Sequence, residues 1–183
     1  MTKSSVYMWS RRALAGTAIA AACVATSVQS ASAAGASPAT VRQCATSNLH
    51  AYMGSNDGTA GAIYTSVNLT NISGSTCTLY GFPGISLSEG SPYTQVGESA
   101  AWNSASTKEL VTLAPGATGS AVVRIADAGN FPPATCGPVT STTYLVVYPP
   151  NNTVPIHLSS AATTCPGSVV TLLANAILPG ATS

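Results

Sequence analysis

Four cysteines constrain this chain more than any other feature. Cys44, Cys77, Cys136 and Cys165 are spread along the segment that follows an N-terminal leader, and a fifth, Cys23, lies inside the leader. An even cysteine count in an exported chain reads as two disulfides. Four cysteines allow three pairings, and the sequence alone does not choose among them. Pairing of neighbours, Cys44–Cys77 with Cys136–Cys165, is favoured because each bridge would staple adjacent segments within one half of the domain. A loop of about thirty residues closed in this way contributes on the order of 3–4 kcal/mol in the chain-entropy model. A zinc site would need paired C-x-x-C spacing, and all four cysteines are isolated, so no metal is expected. With every thiol paired, no catalytic cysteine is expected either.

The exported status rests on residues 1–33, which have the three zones of a signal peptide. Met1 to Arg12 is polar and positively charged, and Ala13 to Val28 is mostly apolar. That run is shorter than the roughly 20 residues a transmembrane helix needs. Ala31-Ser32-Ala33 supplies the small-x-small site, so cleavage is expected after Ala33 or shortly beyond it. Ser10-Arg11-Arg12-Ala13-Leu14 also looks like a twin-arginine signal, although Ala15 is a poor match, which leaves the Sec and Tat routes both open. Ala20-Ala21-Ala22-Cys23 is a degenerate lipobox, and the better alanine site downstream argues against a lipid anchor at Cys23.

Removing the leader changes the charge. The 183-residue precursor carries a formal +1, but the part after Ala33 keeps Arg42, Lys108 and Arg124 against Asp57, Glu89, Glu98, Glu109 and Asp127. Three cations against five acids is −2. Three scattered cations cannot neutralise a run of phosphates, so nucleic acid is not an expected partner. Charged residues make up 6% of the chain, where about 25% is usual, so Ser, Thr, Asn and Gln must wet the surface.

Residues 34–43 read as an extended tail, 44–178 as the folded domain and 179–183 as a C-terminal tail. Ala62 to Leu69 alternates, with Ile63, Thr65, Val67 and Leu69 on one face and Tyr64, Ser66 and Asn68 on the other. Strands are also predicted over Leu49–Met53, Cys77–Tyr80, Ile85–Leu87, Glu109–Leu113, Ser120–Ile125, Tyr144–Tyr148, Val154–Leu158 and Val169–Leu173, with Ala174–Ile177 as an extension. Pro155 suits an edge strand. Asn56-Asp57-Gly58, Asn71–Ser75 and Ala114-Pro115-Gly116 read as turns. No amphipathic helix of useful length appears. Short strands at intervals of roughly ten residues, separated by Gly/Pro turns, predict an all-β, immunoglobulin-like antiparallel β-sandwich with two disulfides.

Three stretches carry a family resemblance. They are Thr59-Ala60-Gly61-Ala62-Ile63-Tyr64 through Leu69-Thr70-Asn71-Ile72-Ser73 to Cys77-Thr78-Leu79-Tyr80-Gly81-Phe82-Pro83-Gly84; Leu113-Ala114-Pro115-Gly116; and Cys136-Gly137-Pro138 with Leu145-Val146-Val147-Tyr148-Pro149-Pro150. Together, over about Cys44 to Leu173, the chain resembles the actinobacterial secreted domain of unknown function 4232. The resemblance implies an exported or lipoprotein β-sandwich from a high-GC Gram-positive bacterium. It implies no activity, since that family has no established catalytic or binding residues.

Chemistry is sparse. Only His50 and His157 can serve as a base, and neither stands in a nucleophile motif; His50 lies in the first strand and His157 is expected to face solvent. The five acids form no pattern of paired carboxylates. Phosphate loops and metal-binding spacings are absent, so no catalytic residue and no cofactor is assigned. The polar segment Gly90–Thr107 stands out as a long loop holding Tyr93 and Trp102 among Ser, Gln and Asn. Aromatics amid hydroxyl and amide groups suit sugar or protein surfaces. The plainer reading is that Trp102 folds back over an open edge of the sandwich. The expectation is therefore a non-enzymatic module at the cell envelope that binds a protein or cell-wall glycan. A structural envelope protein is the second reading, and a hydrolase with an unrecognised site the third.

Overall fold

The computed structural model describes residues 41–183. The expected signal peptide, export route, cleavage site and tail residues 34–40, and the question of a lipid on Cys23, lie outside the described residues. Thirteen strands are present among those described: β1 (Leu49–Met53), β2 (Asp57–Thr59), β3 (Ala62–Asn71), β4 (Cys77–Tyr80), β5 (Gly84–Glu89), β6 (Thr94–Gln95), β7 (Ala101–Trp102), β8 (Leu110–Leu113), β9 (Thr118–Ala126), β10 (Thr140–Tyr148), β11 (Ile156–Thr164), β12 (Leu172–Ala174) and β13 (Leu178–Pro179). The helical content is one turn of α-helix at Pro133–Cys136 and two 3-10 turns.

The fold is all-β. One sheet has the order β1-β3-β9-β12-β7, with β2 added beside β3 and β13 beside β9; a second has the order β11-β10-β5-β6; β4 and β8 form a ribbon of their own. Side chains from all three meet in one core. Val67 and Leu69 of β3, Val123 of β9 and Leu172 of β12 share it with Ile85 and Leu87 of β5 and Leu145 and Val147 of β10. Leu79 of β4 and Leu113 of β8 complete it. Each of these residues follows its strand's alternation, which is why short strands of modest apolar content suffice. β10, the Val-rich strand, is central, pairing with β11 on one side and β5 on the other. β11 is an edge strand, as Pro155 predicts.

Several expectations need correction. The Asn56-Asp57-Gly58 turn is not one: Asp57–Thr59 is β2, and the reversal is the two-residue turn Ala60-Gly61. Gly61 sits at φ 83, a conformation that glycine adopts freely and that the second central residue of a type II turn requires. Ile63, on the inward face of β3, is 43% exposed because the sandwich is open at that end. Ser66 and Asn68, on the outward face, are buried. The strand expected from Val169 begins only at Leu172; Ala174 extends it as β12, but Asn175–Ile177 does not, and pairing resumes at β13. The ladder between β12 and β7 is parallel, so the sheet is not wholly antiparallel. Residues 179–183 dock on the first sheet, with Gly180 donating to the Thr118 carbonyl at 2.8 Å.

Both disulfides join neighbouring cysteines, Cys44–Cys77 and Cys136–Cys165, closing separations of 33 and 29 residues. The first borders the main core, and the second forms a small satellite cluster with Ala128, Phe131 and Val169. The turn chemistry also follows the sequence. Ala117 donates to the Ala114 carbonyl at 2.9 Å around Pro115-Gly116, and Gly116 has φ 81, the geometry of a type II turn.

Candidate functional site

Residues 90–107, a long polar loop by sequence, have a backbone that is largely structural. After β5, the chain reverses through Gly90 and Tyr93, both in the left-handed region, and returns beside β5. Val96 donates to Leu87 and Ala100 to Ile85, at 2.9 and 2.8 Å. The chain then leaves the second sheet and joins the first, where β7 lies beside β12 and Asn103 donates to the Ala174 carbonyl at 2.9 Å. One segment thus crosses between the two layers and closes the edge of the sandwich. Closing an edge satisfies backbone groups that would otherwise invite pairing with another chain.

The two aromatics of this segment go to different places. Tyr93 stacks on His157 with ring centroids 3.7 Å apart and meets Tyr144 edge-on at 5.0 Å. It lies over the outer face of the second sheet. His157, expected in solvent, is half-buried by this stack. Tyr144 pairs in register with Ser88, whose hydroxyl is buried without a hydrogen-bond partner. His50 is exposed and stacks on Tyr52 at 6.0 Å. The ring partner of each histidine is a tyrosine rather than a carboxylate.

Trp102 stands apart from this group. It stacks almost parallel on Phe82, with centroids 5.4 Å apart and planes inclined by 9°. The Lys108 ammonium lies over the Phe82 ring at 5.9 Å. Beside the stack, the Asn103 amide donates to Asn175 Oδ1 at 2.9 Å. Trp102 nevertheless remains 64% exposed, so it shields the edge with one ring face and presents the rest to solvent. The ring therefore covers part of that edge, as the plainer reading of Trp102 expects. Phe82 lies in the short break between β4 and β5, flanked by Gly81 and Pro83. A phenylalanine in so tight a turn has little chance of reaching the core, and that was the available signal.

A cleft of about 320 Å³ opens at the end of the sandwich between Ile63, Ile125, Ala162 and Thr163. Its carboxylate, Asp127, accepts from the Gly129 amide at 2.9 Å and caps a 3-10 turn. Among the described residues, no three His, Cys, Asp or Glu side chains gather where a metal ion could be held.

A family model described as a domain of unknown function, DUF4232, matches residues 44–174. The chain belongs to the DUF4232 family. The span matched in this DUF4232 domain starts at the first half-cystine and ends with the last residue of β12. It contains both disulfides, the Tyr93–His157 stack and the Trp102–Phe82 stack. The docked residues 179–183 lie beyond it. No curated protein and no solved structure matches the chain.

Proposed function

We propose that this DUF4232 domain is an exported, non-catalytic binding module of the cell envelope, and that Trp102 on its Phe82 support is the contact residue. The observation that carries this reading is the indole of Trp102, 64% exposed yet oriented by a parallel stack. Tryptophan is a highly buried residue on average, and large apolar groups left in water commonly mark recognition surfaces. A ring already held in place loses little conformational freedom on binding. A flat apolar face flanked by amide groups suits the ring of a cell-wall sugar or the surface of a protein. The disulfides fit an oxidising compartment outside the cytoplasm. The histidines, each engaged with a tyrosine, lend no support to a hydrolase.

The test is retention on cell-wall glycan and on immobilised envelope proteins, comparing wild type with Trp102→Ala and Phe82→Ala. Loss of retention in Trp102→Ala and weakening in Phe82→Ala are expected. Retention unchanged in both would remove the platform from consideration. A second reading, a structural envelope protein, draws on the edge-closing path of residues 94–103. It would gain if the protein were abundant in the wall fraction with no saturable partner.

A further inference from the structure

Asparagine is depleted from strands, yet Asn68 lies in the middle of β3 and is fully buried. Its outward face meets residues 180–183. Beyond β13, Gly180 at φ 92 turns the chain over the sheet edge. Thr182 then lands on Asn68, and the two exchange a reciprocal pair of hydrogen bonds. The Thr182 amide donates to Asn68 Oδ1 at 2.9 Å, and Asn68 Nδ2 donates to the Thr182 carbonyl at 3.1 Å. Ser66 Oγ donates to the same carbonyl at 2.7 Å, and the Thr182 hydroxyl meets Ser120 Oγ at 2.7 Å. Gly54 leaves the room: a Cβ there would lie 2.6 Å from the Thr182 carbonyl oxygen.

The side chains of this notch are matched to a peptide backbone rather than to a core. The Asn68 carboxamide offers one donor and one acceptor to a single residue, as a neighbouring strand would. The Ser120 hydroxyl reads a small hydroxyl side chain. The notch is lined mainly by polar side chains, with Val122 of β9 beside Ser66. If the strap lifts, Asn68, Ser66 and Ser120 are hydrated rather than stranded, so the open state exposes little apolar surface beyond Val122. The strap gains hydrogen bonds that are worth little net against water, and it loses the conformational freedom of the residues it orders. Such a contact is reversible. We propose that the Asn68 notch is a binding site for an extended peptide bearing Ser or Thr, and that residues 180–183 occupy it in cis. Tethering gives the strap an effective concentration in the millimolar range, so a peptide in trans binds well only when the strap is weakened.

The test uses the full exported chain and a dye-labelled pentapeptide matching residues 179–183. Thr182→Pro removes the amide that donates to Asn68. This variant is expected to bind the peptide at least tenfold more tightly than wild type, by fluorescence anisotropy. Asn68→Ala in the same background abolishes binding. Replacing threonine by alanine in the peptide weakens it. In wild type, millimolar unlabelled peptide accelerates hydrogen exchange at the Thr182 amide. Equal binding by wild type and Thr182→Pro, no binding by either, or binding that survives Asn68→Ala would overturn the proposal. So would Thr182 exchange that does not respond to peptide.

Discussion

The Asn71 carboxamide donates to the Leu113 carbonyl at 2.9 Å, tying the end of β3 to the β4–β8 ribbon. The same amide donates to the Ser75 carbonyl at 2.8 Å, while Oδ1 accepts from the backbone and hydroxyl of Ser73 at 3.0 and 2.7 Å. Asn71 is fully buried, and its bond to the Leu113 carbonyl lies in the interior, whereas Ser73 and Ser75 are within reach of water. Asn71→Ala is expected to destabilise the domain by about 1–3 kcal/mol, because the buried Leu113 carbonyl loses its partner and the turn at Ser73 loses its Asx bonds. Urea denaturation checks this as a lower midpoint with little change in slope. A loss below about 0.5 kcal/mol would contradict the role given to this side chain.

The two disulfides close loops of 33 and 29 residues, so their entropic contributions are nearly equal. Replacing Cys44 and Cys77 together by serine is expected to cost about 3 kcal/mol, and Cys136 with Cys165 a similar amount. Thermal melts of the two double variants provide the comparison. If one pair proved dispensable while the other abolished folding, loop length would not be the main term.

β8 alternates sharply in exposure. Leu113 is 1% exposed and Leu110 is 65% exposed. Leu113→Ala is expected to lose about 2–5 kcal/mol through lost burial and a residual cavity, and Leu110→Ala to stay within about 0.5 kcal/mol of wild type. Comparable losses at the two sites would mean that the register of β8 against β4 is wrong.

Trp9 precedes the expected cleavage site at Ala33, so Trp102 is the only tryptophan of the chain recovered after such cleavage. Its intrinsic fluorescence therefore reports one indole. Emission close to that of tryptophan in water, with ready quenching by acrylamide, is expected for a ring 64% exposed. Trp102→Ala should lower stability by no more than about 1 kcal/mol, the size of an aromatic stack. Blue-shifted, quencher-resistant emission would show that the ring is covered.

Much of the architecture was legible from local chemistry. Alternation in residues 62–69 located β3, and the Val-rich run at 144–148 marked the central strand. Asn71 and Pro115-Gly116 foretold their turns, because an Asx turn and a type II turn depend on residues a few positions apart. The candidate site was legible only in part. Tyr93 and Trp102 stood out as aromatics in a polar segment, but their partners His157 and Phe82 come from elsewhere in the chain.

What the sequence determined by itself was the periodicity, the turns at Asn71 and Pro115-Gly116, the even count of cysteines after Ala33 and the scarcity of charge. Each of these is a property of neighbouring residues or of composition. The tertiary structure alone decided what lies over each face. Period 2 shows that β3 has two sides, but only the arrival of Thr182 buries Asn68, and only an open sandwich end exposes Ile63. It also decided that residues 94–103 cross between the layers, since strand order is set by packing of distant segments around a shared core.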